Sequence, residues 1–219
     1  MKSKALLITG TDTGSGKTVL TSALAAYYRT YHSGKSLGLM KLIQTGIGDR
    51  ELYQELFGEV TVPLCFDAPV APPIAAQKEG RTIELEKVWQ AFTSLNQDLV
   101  LVEALGGLGS PVTKELTVAD IAAAWRLNTV LVVPVKLGAI AAAVANVALA
   151  RQSGVKLQGI ILNCVNSDSE QHYQDWTPVA LIQSLTQMPV LGKIPPLPDP
   201  TNLEKLAQVA SSFDLELLI

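Results

Sequence analysis

The stretch best equipped for chemistry is Gly10-Thr11-Asp12-Thr13-Gly14-Ser15-Gly16-Lys17-Thr18. An apolar run, Ala5 to Ile8, precedes it and reads as a buried strand. An Ala/Leu-rich segment, Val19 to Tyr28, follows and reads as a helix. Strand, glycine-rich turn, Gly-Lys-Thr and helix make a phosphate-binding loop. Backbone N–H groups of the turn and of the helix start form a concave anion site. Lys17 adds a point charge for β/γ-phosphates, and Thr18 offers a hydroxyl to Mg²⁺. The usual pattern has a glycine where Thr11 stands; here it sits one residue earlier, at Gly10, so the loop is a variant. The plainer reading, a glycine-rich turn with Lys17 solvated, is disfavoured by the context on both sides.

Other positions could work with such a loop. Lys41 closes the run Leu37–Lys41 and is followed by Leu42-Ile43-Gln44-Thr45-Gly46. Ligands of open α/β sheets gather outside strand ends, although a surface lysine at a strand exit fits equally. Glu103 ends the unbroken apolar run Leu99-Val100-Leu101-Val102. A buried carboxylate there needs a metal, a hydrogen-bond network or a proton, and the metal reading is preferred to a structural one. Asp49 opens a polar, helix-like segment through Phe57, as a helix cap or a metal-facing carboxylate. Asn163, at the outer end of Ile160–Asn163, suits base recognition or a turn. Lys136-Leu137-Gly138 leads into a long Ala-rich helix whose N-terminus is a further anion site, or ordinary strand–helix punctuation.

Strand and helix must alternate to place these groups at one edge. Further strands are expected at Thr129–Pro134 and Val190–Ile194, and helices at Glu84–Leu95, Thr117–Trp125 and Asn202–Ser212. Pro63, Pro69, Pro72 and Pro73 predict an irregular loop over 63–77, with a short helix at Ala75-Ala76-Gln77; it lines a site or simply connects. The pattern predicts an α/β fold: a single doubly wound, mostly parallel sheet of about seven strands with helices on both faces. With 219 residues and 48% hydrophobic content, residues 1–219 are expected to form one domain. The net charge is −3, with Lys and Arg spread, which argues against a nucleic-acid partner. Cys65 and Cys164 lack metal-ligand spacing and are expected as buried free thiols, while His32 and His172 are expected to be solvated. The stretch Leu137–Ala150 is too short to span a membrane, and no apolar leader precedes the first strand, so a cytoplasmic protein with no membrane partner is expected.

The loop Gly10-Thr11-Asp12-Thr13…Gly16-Lys17-Thr18 resembles that of dethiobiotin synthetase, a P-loop NTPase family of late biotin synthesis. Lys41-Leu42-Ile43-Gln44-Thr45-Gly46 is similar to the family's Lys-Pro-x-x-Ser/Thr-Gly, Pro69 to Ala76 to its proline-rich substrate loop, and Glu103-Ala104-Leu105-Gly106-Gly107 to its Glu-Gly-Ala-Gly-Gly. Lys136-Leu137-Gly138 and Ile194-Pro195-x-Leu197 also correspond, so the resemblance covers nearly the whole chain. The departures are Leu42 for proline, Ala104-Leu105 for Gly-Ala, Gly14 for an acidic residue, Pro73 for histidine, Ala141-Ala142 for Asn-His, and a short loop before Asp49. The ATP side is thus better kept than the substrate side.

The resemblance implies ring closure of a diamino acid, diaminopelargonic acid (7,8-diaminononanoate), with CO₂ and MgATP, through a carbamate and a carbamic–phosphoric anhydride. It implies Lys41, Lys17 and Thr13 as catalytic residues, and Gly14, Ser15, Gly16, Lys17, Thr18, Val19, Asn163 and Pro195 as the ATP site. It places Thr13, Lys41, Thr45, Leu137, Gly138, Ala139 and Ile140 on the substrate, and Thr18, Asp49 and Glu103 on Mg²⁺. In this family the helix after Gly138 comes from a second subunit, which implies a homodimer. A switch ATPase of the partitioning or metal-insertion type carries an extra lysine early in the loop; Thr11, Asp12 and Thr13 stand there instead. An altered-substrate or non-enzymatic descendant is the other alternative, suggested by the substrate-side changes.

Overall fold

The structure is a computed structural model that describes residues 4–219. The first apolar run forms β1 (Lys4–Gly10), whose side chains alternate between two cores: Leu6 and Ile8 enter one, Leu7 the other. Burying one such leucine or isoleucine contributes roughly 1.5–3 kcal/mol. After the glycine-rich turn comes α1 (Lys17–Tyr31), then β2 (Leu37–Lys41), the two-residue β3 (Gln44–Thr45) and α2 (Asp49–Phe57). The next elements are β4 (Cys65–Phe66), α3 (Pro72–Lys78) and α4 (Leu85–Thr93). They lead to β5 (Leu99–Gly107), α5 (Val118–Ala124), β6 (Asn128–Pro134), α6 (Ala139–Ser153) and β7 (Lys156–Asn163). The chain then makes α7 (Ser167–Gln171), α8 (Tyr173–Trp176), α9 (Val179–Thr186), β8 (Val190–Ile194) and α10 (Leu203–Ala210).

Among the described residues, six strands form one sheet in the order β2-β5-β1-β6-β7-β8, and every pairing in it is parallel. All their C-terminal ends therefore meet at one edge. On one face α1 and α10 cover Leu6, Ile8, Leu99, Leu101 and Val132. On the other, α5 covers Val100 and Val102, and α6 and α9 cover Leu131, Val133 and Leu162. Both faces of the central strands are covered, which is why β1, β5 and β6 read as unbroken apolar runs.

The doubly wound parallel sheet matches the expectation, with six strands in the main sheet and β3–β4 as a separate parallel pair. The 63–77 loop is more ordered than expected: it holds β4, and Pro72 and Pro73 open α3, where a missing N–H costs nothing. β5 continues past Val102 to Gly107, and β7 starts at Lys156 rather than Ile160. The three helices over 167–186 were not anticipated. Cys164 is buried, but Cys65 is only half-buried, within reach of the Arg50 guanidinium. The histidines are half-buried rather than solvated, His32 stacked on Tyr28 and His172 on Trp176.

Candidate active site

The glycine-rich turn joins β1 to α1 at the C-terminal edge of the sheet. Gly14 and Gly16 both take positive φ, 78° and 99°. Only glycine does so without strain. Gly16 caps α1 with no side-chain acceptor, so the first helical N–H groups stay free for an anion. Lys17 is buried and donates from Nζ to the Asp12 carbonyl, 3.1 Å away, which curls its side chain back over the loop. Burial lowers its pKa, against the pull of the Glu103 carboxylate.

Lys41 and Glu103 are paired in register at the ends of neighbouring strands β2 and β5. Lys41 Nζ lies 2.6 Å from Glu103 Oε1 and also contacts Asp49 Oδ2, from the first turn of α2. Thr18 Oγ1 reaches both acids, 3.1 Å from Asp49 Oδ1 and 3.2 Å from Glu103 Oε1. Glu103 is 0% exposed, and these partners replace the water it gives up. Burial pushes the Lys41 pKa down, but Glu103 and Asp49 more than reverse this, and it lies above the ordinary lysine value. Burial raises the Asp49 carboxyl, but Lys41 outweighs it and holds the carboxyl below its usual value.

These groups face a cavity of about 610 Å³. Its wall includes Thr13, Gly14, Gly16, Lys17, Thr18, Val19, Lys41, Thr45, Asp49 and Glu103. Pro69 to Pro72 form the opposite side, tied to β3 by the Gly46 N–H donating to the Phe66 carbonyl at 2.8 Å. Thr13 sits over Gly106, where an added Cβ would lie 3.8 Å from its hydroxyl. Ser15 is buried beneath the loop and does not line the cavity.

Asn163 and Pro195 lie behind the loop, outside this cavity. Asn163 and Ile194 are register partners at the ends of β7 and β8, and Pro195 follows directly. The Asn163 Nδ2 donates to the Ser15 carbonyl at 2.9 Å, so the amide holds the loop from behind. Leu137, Gly138, Ala139 and Ile140 are not brought to the cavity by this chain; they start α6 on the far side of the loop. Lys136 Nζ is 2.8 Å from Asp12 Oδ2, linking that segment to the loop.

The donor set fits Mg²⁺. Thr18, Asp49 and Glu103 present only oxygens: both carboxylates meet Lys41 Nζ, and Thr18 Oγ1 bridges the two carboxylates. The described residues hold no cluster of three or more His, Cys, Asp or Glu side chains, so Thr18, Asp49 and Glu103 would leave the rest of a Mg²⁺ ion's ligand positions to non-protein oxygens. Sequence reading missed Tyr53, whose hydroxyl donates to Glu103 Oε2. Its signal was position: Tyr53 lies four residues after Asp49, on the same face of α2.

A family model described as an AAA domain matches residues 4–204. The ATP-dependent dethiobiotin synthetase BioD of Gloeothece citriformis is 64% identical over 98% of each chain. The BioD of Crocosphaera subtropica is 60% identical, over 97% of this chain and 98% of its own. Among solved structures, the Aquifex aeolicus MinC:MinD cell division protein complex matches with a TM-score of 0.62 at 20% identity, covering 96% of this chain and 93% of that one. That likeness speaks for the fold alone. With this identity along nearly its full length, the chain belongs to the ATP-dependent dethiobiotin synthetases.

Proposed function

We infer that this chain performs its family's reaction, closing the ureido ring of dethiobiotin from 7,8-diaminononanoate, CO₂ and ATP. The observation that carries the reading is one cavity lined by the phosphate loop, two lysines and two carboxylates. The loop amides and Lys17 would take the triphosphate. Thr18, Asp49 and Glu103 would hold Mg²⁺, which supplies neutralisation of phosphate charge. Lys41, with Lys17, would neutralise the carbamate and the transferring phosphoryl group as the carbamate oxygen attacks the γ-phosphorus and ADP leaves. Thr13 and Thr45 would hydrogen-bond the carbamate. The second amine then attacks the anhydride carbon, and phosphate leaves. Each step asks the protein for position and charge, which this cluster offers. Asn163 Oδ1 would accept from the adenine amino group, beside Pro195.

The working unit in this reading is one cytoplasmic domain that pairs as a homodimer. Supporting this, α6 is apolar nearly all round, and its exposed stripe is Ala141, Ala145 and Ala148. A helix of that kind is normally covered. Leu137, 83% exposed just before it, would reach the partner's substrate together with residues 138–140. A partner-protein switch ATPase is not favoured, because the close relatives are synthetases. The test is phosphate release from MgATP with bicarbonate, with and without the diamine. Strict dependence on the diamine is expected; equal release without it would overturn the reading.

A further inference from the structure

We propose that Tyr53 is a positioning residue for Glu103: its hydroxyl takes up Oε2 and so aims Oε1 at the metal position. This rests on the reading of Glu103 as a Mg²⁺ ligand. A glutamate carboxylate turns easily about its last bond, whose torsional preference is broad and two-fold. In this structure the two oxygens have different work. Oε1 takes Lys41 and Thr18, on the cavity side, while Oε2 takes Tyr53.

Tyr53 is itself fixed. It is 1% exposed, sits in the core under α1 and packs its ring against Phe57 with centroids 6.4 Å apart. Phenylalanine would fill that space as well, so packing alone does not call for the hydroxyl. The placement also follows from α2, which carries Asp49 and Tyr53 one turn apart. A single rigid helix therefore brings one carboxylate and the donor that orients the other. Without the hydroxyl, Oε2 would be buried with a partner missing, and only Lys41 and Thr18, both on the other oxygen, would orient the carboxylate. Losing an orienting partner of a ligand commonly weakens metal affinity 10–100-fold.

The test compares wild type, Tyr53→Phe, Glu103→Gln and the double variant. Mn²⁺ binding to each enzyme–ADP complex is measured by electron paramagnetic resonance, beside thermal melting and the Mg²⁺ dependence of turnover. Tyr53→Phe is expected to weaken Mn²⁺ binding roughly tenfold and to raise the Mg²⁺ requirement, with turnover recovered at saturating Mg²⁺. It should add nothing in the Glu103→Gln background. If Tyr53→Phe binds Mn²⁺ like wild type while Glu103→Gln binds it weakly, the tyrosine only packs, and the proposal falls with the site reading intact. If neither variant weakens binding, both fall. If Tyr53→Phe does not fold, 3-fluorotyrosine incorporated in the wild-type chain replaces it; a position-53 fluorine resonance unmoved by Mg²⁺ in the ADP complex overturns the proposal, and a shifted one supports it.

Discussion

The ammonium of Lys41 and the carboxylate of Glu103 meet 2.6 Å apart because their Cα atoms are register partners on adjacent parallel strands. Both side chains leave the sheet on the same side, so the pair is set by strand pairing and not by a loop. Neither charge can be dropped alone.

Lys41→Ala is therefore expected to fail in two separable ways. Turnover should be abolished while nucleotide binding, followed by calorimetry, stays largely intact; equal loss of both would make Lys41 a nucleotide ligand instead. Stability should fall by about 3–5 kcal/mol in urea denaturation, because Glu103 is left buried and unpaired. Adding Glu103→Gln should restore much of that loss without restoring turnover.

Two glycines of the phosphate loop should respond differently to alanine. Gly14 has φ 78° and open space around it, so Gly14→Ala should cost only about 1 kcal/mol. At Gly16 a Cβ would stand 2.0 Å from Asn163 Nδ2, so Gly16→Ala should cost a further 1–3 kcal/mol or so of overpacking and lose ATP affinity. Denaturation curves and nucleotide titrations on the two variants decide it; equal effects would contradict the structure.

Acid should weaken the ligand-free fold through Asp49. Its carboxyl lies below the ordinary value in the folded state, so its contribution is complete above the unfolded pKa of about 3.9. It is lost as pH falls through the folded value. Urea denaturation from pH 7 towards pH 3 should show a shallower loss for Asp49→Asn than for wild type. A parallel slope would remove Asp49 from the account.

Leu137→Asp should break the proposed pairing. Light scattering should shift from dimer towards monomer, with the Michaelis constant for the diamine raised more than that for ATP. A wild-type monomer would remove the shared site.

The order of strands was legible because the central ones, β1, β5 and β6, carry unbroken apolar runs, and because Gly16-Lys17-Thr18 stands between one such strand and an Ala/Leu-rich helix. Lys41 and Glu103 were legible as charges closing such runs. Their contact was not, since β2 and β5 are far apart in sequence and only pairing shows that they are neighbours. The strands β3 and β4 have two residues each, too few for periodicity, and Pro63 and Pro69 disguise them. The short helices over 167–186 lack a long apolar repeat. Tyr53 was missed because its hydroxyl's target, Glu103 on β5, depends on how α2 lies against that strand.

Gly107 has a Cβ position only 2.7 Å from the Thr11 carbonyl and 2.9 Å from that of Gly10. Main chain rests on main chain there, and any larger residue would prise the acid-bearing strand from the phosphate loop. The acid-bearing strand and the phosphate loop are thus in direct backbone contact, with no side chain between them. The other wall is built differently: there Ile47 stands 92% exposed between Gly46 and Gly48, both at positive φ, and open space surrounds Gly48.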